Sequence, residues 1–119
     1  MQYPTNLQIA HLSAATGGAG AFTTPTILGP PGPARRYRIW YINLGREDMV
    51  QLGNVLGSFQ AVGGLPAIGL ISCRRDLNAT LYLPGGFAMP VDIGVRVVLQ
   101  SDLAGQNIGA QFGYTIEAV

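Results

Sequence analysis

Glycine and proline punctuate this chain so often that a long helix has little room to form. There are 17 glycines and 8 prolines in 119 residues, and most intervals between them are shorter than three helical turns. Glycine in a helix interior gives up backbone entropy, and proline removes a backbone donor. Short apolar runs fill the intervals, each bounded by turn residues, which is the pattern of a sandwich or barrel. The reading is an all-β fold: one β-sandwich domain over residues 1–119, with eight or nine short strands.

The strands are expected at residues 7–13, 22–28, 36–44, 49–52, 55–61, 68–73, 77–83, 95–101 and 108–119. Pro25 marks the second as an edge strand, because proline cannot donate to a ladder. Gly29-Pro30-Pro31-Gly32-Pro33 is a stiff extended turn, and Pro84-Gly85-Gly86 is expected to end the seventh strand. The stretch 36–44 carries the strongest signal, rich in aromatic and β-branched residues. Alternation there puts Arg36 and Arg38 on one face and Tyr37, Ile39 and Tyr41 on the other. From Trp40 through Ile42 and Leu44 both faces read as apolar, so one face is expected to be covered by a loop or another subunit.

Charge is scarce: 11% of residues are charged and the formal net charge is +1. That balance excludes the basic stripe a nucleic-acid binder needs, so no nucleic-acid partner is expected. No uninterrupted apolar run is long enough for a transmembrane helix, so no membrane partner is expected either. The first residues, Met1 to Asn6, have no basic region followed by an apolar one, and no secretory signal is read there. The single cysteine, Cys73, gives neither an internal disulfide nor a zinc spacing, so no metal or other cofactor is expected.

Catalytic signals are weak. His11 is the only histidine, two residues from Ser13, and a nucleophilic triad would have to be completed by the fold. Cys73 precedes Arg74 and Arg75, whose charges could lower a thiol pKa, but its apolar run reads as packing. The acids Glu47, Asp48, Asp76, Asp92, Asp102 and Glu117 are not paired by any spacing, and most fall at turns. No catalytic residue is assigned.

The arginines are the more informative set. All seven basic residues are arginine, and Arg35, Arg36 and Arg38 open the strongest strand while Arg74 and Arg75 precede Asp76. A guanidinium pairs bidentately with carboxylates and suits an interface better than lysine does. Two readings stand. The arginines contact acids of a neighbouring subunit, or they form a solvated face paired with Glu47, Asp48 or Asp76. Together with Tyr3 and Trp40, they are the candidate interaction residues.

The order of segments carries a resemblance. Ile27-Leu28-Gly29-Pro30-Pro31-Gly32-Pro33-Ala34-Arg35-Arg36-Tyr37-Arg38-Ile39 forms a proline-glycine, basic, then strand entry. Later come Leu81-Tyr82-Leu83-Pro84-Gly85-Gly86-Phe87-Ala88-Met89-Pro90-Val91, then Gly94-Val95-Arg96-Val97-Val98-Leu99-Gln100-Ser101, and finally Gly113-Tyr114-Thr115-Ile116-Glu117. From Ile27 onward this resembles the small jelly-roll structural proteins of tailed bacteriophages, of the capsid decoration or cement type. The resemblance implies a non-enzymatic virion protein, assembled in the host cytoplasm and placed on the capsid surface. It further implies a homotrimer that clamps the major capsid protein, with residues 1–6 as an extended N-terminal arm. The alternative is a glycan- or receptor-binding module on a phage head or tail, using Trp40, Tyr82 or Phe87 as stacking platforms.

Overall fold

The computed structural model describes residues 4–15, 22–23, 26–46, 54–63, 67–74, 79–101 and 107–119. Among them, nine strands and no helix form. Seven are long: β1 (Gln8–Ala15), β4 (Arg35–Arg46), β5 (Asn54–Ala61), β6 (Ala67–Arg74), β7 (Ala79–Ala88), β8 (Val95–Ser101) and β9 (Asn107–Ala118). The other two, β2 (Phe22–Thr23) and β3 (Thr26–Leu28), both pair with β8 and act as two halves of one edge strand. The expected strand at residues 22–28 is therefore present in two pieces, with Pro25 itself outside the described residues. The expected strand at 49–52 also lies outside them.

The strands form two antiparallel sheets in the orders β1-β9-β4-β7 and β2-β8-β5-β6. With β2 and β3 counted as one strand, the chain passes between the sheets in the order of a jelly roll, with β5 and β6 consecutive in one sheet. The sandwich closes because its central strands turn apolar residues inward. Ile108, Ala110 and Phe112 of β9 and Ile39, Ile42 and Leu44 of β4 are fully buried. They meet Phe59 and Ala61 of β5 and Val95, Val97 and Leu99 of β8, also fully buried.

The inward set of β4 contains a step. Tyr37 and Ile39 are buried, and so are Ile42 and Leu44, while Tyr41 is not. Ile39 pairs with Tyr114 and Tyr41 with Gly113, so β4 holds one extra residue at Trp40. A bulge of this kind reverses which face the following residues occupy. Tyr41 thus leaves the face it was expected to share with Tyr37 and Ile39. The doubly apolar run from Trp40 to Leu44 is one inward face resuming after a bulge.

Strand β7 answers that bulge with a larger one. Its pairs to β4 run Ile39 with Phe87 and then Tyr41 with Tyr82, which leaves residues 83–86 opposite Trp40. Pro84-Gly85-Gly86 therefore interrupts the pairing without ending the strand, against expectation. β7 is an edge strand, where proline leaves no ladder bond unmade. Gly85 and Gly86 both take a positive φ, 76° and 75°, which makes the excursion accessible to glycine.

One end of the sandwich is tied by backbone bonds. Arg35 N donates to Gly32 O, Asp92 N to Arg35 O and Val119 N to Ala34 O. The stiff proline-glycine turn is anchored by Asp92 Oδ1, which accepts from Gly32 N at 3.1 Å. The Tyr37 hydroxyl adds a second anchor, donating to Gly29 O at 2.7 Å. Replacing Tyr37 by phenylalanine leaves that carbonyl without its donor and is expected to cost about 1 kcal/mol. A thermal melt reads this as a loss of about 4 °C. Burial, reinforced by the nearby Tyr114, pushes the Tyr37 phenol up from its ordinary value of 10.0. Its contribution is therefore complete below that pH and is lost as alkaline pH ionises it.

Candidate binding face on the four-stranded sheet

The outer face of the β1-β9-β4-β7 sheet holds nearly all the functional candidates that the structure describes. Register builds it in rows across the four strands. Ile9, Gly113, Tyr41 and Tyr82 form one row, and His11, Gln111, Asn43 and Thr80 form the next. Between them runs the row Ala10, Phe112, Ile42 and Leu81, of which the first three are buried in the core. The two outer rows are thus about 7 Å apart along the strands. Ile9 and Tyr82 remain 60% and 57% exposed.

Glycine shapes the first row. A Cβ built on Gly113 would collide with Cε1 and Cδ1 of Tyr41, so the bare backbone of β9 lets the Tyr41 ring lie against it. In the second row, Asn43 Nδ2 donates to Thr80 Oγ1 at 2.6 Å, which orients the Asn43 amide. Leu7, Tyr41, Asn43, Thr80, Tyr82 and Gln111 line an open cleft of about 450 Å³. None of the six side chains is charged.

Farther along the same face, Glu117 joins two arginines. Arg36 Nε and Nη2 donate to Glu117 Oε2 at 3.0 and 2.8 Å. Arg38 Nε donates to Oε1 and its Nη2 to Oε2, while Arg38 Nη1 donates to Gly85 O at 3.0 Å. Hydrogen bonding from Arg38 leads in holding the Glu117 carboxyl below its ordinary range; burial opposes this and Arg36 assists it. The same bond raises the Arg38 guanidinium. Arg36 and Arg38 do share a face, as the alternation predicts, but the acid between them is Glu117. Glu47, Asp48 and Asp76 lie outside the described residues.

Trp40 sits beside this cluster, half-buried, with Nε1 donating to Thr115 Oγ1 at 3.0 Å. Gly86 comes so close to Arg38 and Trp40 that a Cβ there would lie 2.5 Å from Arg38 Cγ and 3.3 Å from Trp40 Cδ2. The β7 bulge is thus a loop of the same chain covering Trp40. Phe87, considered as a stacking platform, packs against the core instead. Arg35 is exposed at the start of β4. Arg74 stands at the end of β6, opposite Asn54 in the other sheet, so the two arginine clusters do not share a sheet. Tyr3 and Arg75 lie outside the described residues.

His11 stands exposed on β1 opposite Gln111. Cys73 lies on β6 opposite Val55. Among the described residues, no three His, Cys, Asp or Glu side chains converge as a metal site would require. Sequence reading missed Tyr41, Asn43, Thr80 and Gln111 as partners of Tyr82, and Glu117 as the acid for the arginines. The signal that unites them is cross-strand register, which the bulge at Trp40 shifts.

No family model matches the chain, and no curated protein does. Among solved structures, the chain is similar to that described as "Crystal structure of PirA", with 15% identity, 88% of this chain and 93% of that chain covered, and a TM-score of 0.49. A likeness at that level carries no argument about function.

Proposed function

We propose that this protein is a non-enzymatic structural component of a virion, binding the outer capsid surface as a trimer and stabilising the head. The observation that supports this most is the character of the outer sheet face. Among the described residues, its charges gather where Arg36 and Arg38 share Glu117, and the rows around Tyr41 and Tyr82 carry no Asp, Glu, Lys or Arg, with Ile9 and Tyr82 exposed. A face of that kind loses little on being covered, because few charges must shed water. Jelly rolls serve as capsid and lectin domains alike, so the fold permits this role without requiring it. Cementing would then arise from many modest contacts repeated over a symmetric lattice.

The test is twofold. Light scattering on the purified chain is expected to give three times the protomer mass of 12.5 kDa. The protein is also expected to co-sediment with capsids of the phage that encodes it, and to raise the temperature at which those capsids rupture. A monomer that stays in the supernatant would overturn the proposal.

A further inference from the structure

We infer that the cleft between Tyr41 and Tyr82 is a binding site for a neutral saccharide, with one pyranose ring seated across strands β4 and β7. The two outer rows supply the two kinds of surface such a ring presents. A pyranose has an apolar C–H face and a rim of hydroxyls that both donate and accept. Tyr41 and Tyr82 are direct cross-strand partners and offer the aromatic surface for the C–H face. Asn43, Gln111 and Thr80, two residues farther along their strands, offer amides and a hydroxyl. Those groups also donate and accept, as sugar hydroxyls require.

Three further features narrow the ligand class. The cleft of about 450 Å³ falls within the usual range for a small-molecule site. Among the described residues its lining carries no charged side chain, so an ionic ligand would lose hydration with none of them to replace it. The platform is also fixed in advance: Gly113 admits the Tyr41 ring against β9, and Thr80 holds the Asn43 amide. Prior ordering of this kind lowers the entropic cost of binding. Trp40, the largest aromatic on the sheet, takes no part, because the β7 bulge covers it and Thr115 engages its indole N–H.

Titration of the full chain with lactose, cellobiose and diacetylchitobiose at millimolar concentrations, followed by ¹H–¹⁵N NMR, tests the site. Shifts confined to Tyr41, Asn43, Thr80, Tyr82 and Gln111 are expected with at least one of these sugars. Tyr82→Ala is expected to weaken that binding about tenfold or more, while Tyr82→Trp retains it. Tyr82 is 57% exposed, so both variants keep the fold, which their melting curves verify. Silence at these resonances with all three sugars overturns the inference. So does unchanged binding by Tyr82→Ala, or a Tyr82→Ala effect seen only as altered self-association. The assay needs no capsid, so its failure and that of the virion proposal are read separately.

Discussion

Replacing Phe112 by alanine is expected to remove about 3–5 kcal/mol of stability, which a thermal melt would read as a loss of about 15 °C. The two sheets share no hydrogen-bonded ladder among the described residues, so side-chain packing holds one against the other. Phe112 of β9 meets Phe59 of β5 edge to face, with ring centroids 5.7 Å apart and an interplanar angle of 87°. Both rings are fully buried. Phe112 also touches Tyr114 at 6.0 Å, and Tyr114 meets Tyr37 at 5.4 Å, so the ring chain extends along the core. Alanine at 112 leaves a void between sheets that cannot collapse without shifting a central strand. Phe112→Leu fills part of that space and is expected to lose under half as much. Equal melting temperatures for wild type and Phe112→Ala would mean that the aromatic pair does not hold the sheets together.

The second large effect is expected at Glu117. Its removal leaves Arg36 and Arg38 facing one another without the carboxylate that separates them. Bonds to charged groups contribute about 1.5–3 kcal/mol each when well shielded. These side chains keep 26–32% of their exposure, so water screens part of the loss. Glu117→Ala is therefore expected to cost about 2 kcal/mol in total. The pH dependence has a definite sign. A carboxyl whose folded pKa is lowered contributes stability above its unfolded pKa and loses it as pH falls through the folded value. The wild type should thus lose stability below its ordinary value of 4.5 more steeply than Glu117→Gln, which has no proton to take up there. Parallel melting curves for the two proteins between pH 5 and pH 2 would overturn this assignment.

Much of the fold was legible because it rests on local punctuation. The glycine and proline pattern foretold an all-β sandwich, and the strands at 55–61, 68–73 and 95–101 lie within one or two residues of β5, β6 and β8. The strand expected at 108–119 is β9, whose Phe112, Tyr114 and Ile116 alternate toward the core without interruption because the extra residue of the bulge lies on β4. What the sequence concealed comes from two bulges that face each other. One extra residue at Trp40 moves Tyr41 to the outer face, and four residues of β7 fold over the gap. Neither event alters local composition, since glycine and proline signal a strand end and a bulge equally well. The pairing of Glu117 with Arg36 and Arg38 was hidden for another reason. The partners are about 80 positions apart, 81 and 79 residues, and only the β4–β9 ladder makes them neighbours.

The excursion of β7 also governs how copies of the molecule can come together. An open sheet edge invites another strand to add on, and a long regular edge is a route to uncontrolled polymers. On this sheet, β7 forms one border, and its ladder-ready backbone is broken midway by Pro84 and two left-handed glycines. A second chain could align with only a short segment on either side of that break. Continuation of the sheet from molecule to molecule is thereby disfavoured at this border. Strand addition to this sheet is left to its other border, β1, whose ladder to β9 runs from Gln8 to Ala15 without a shift of register.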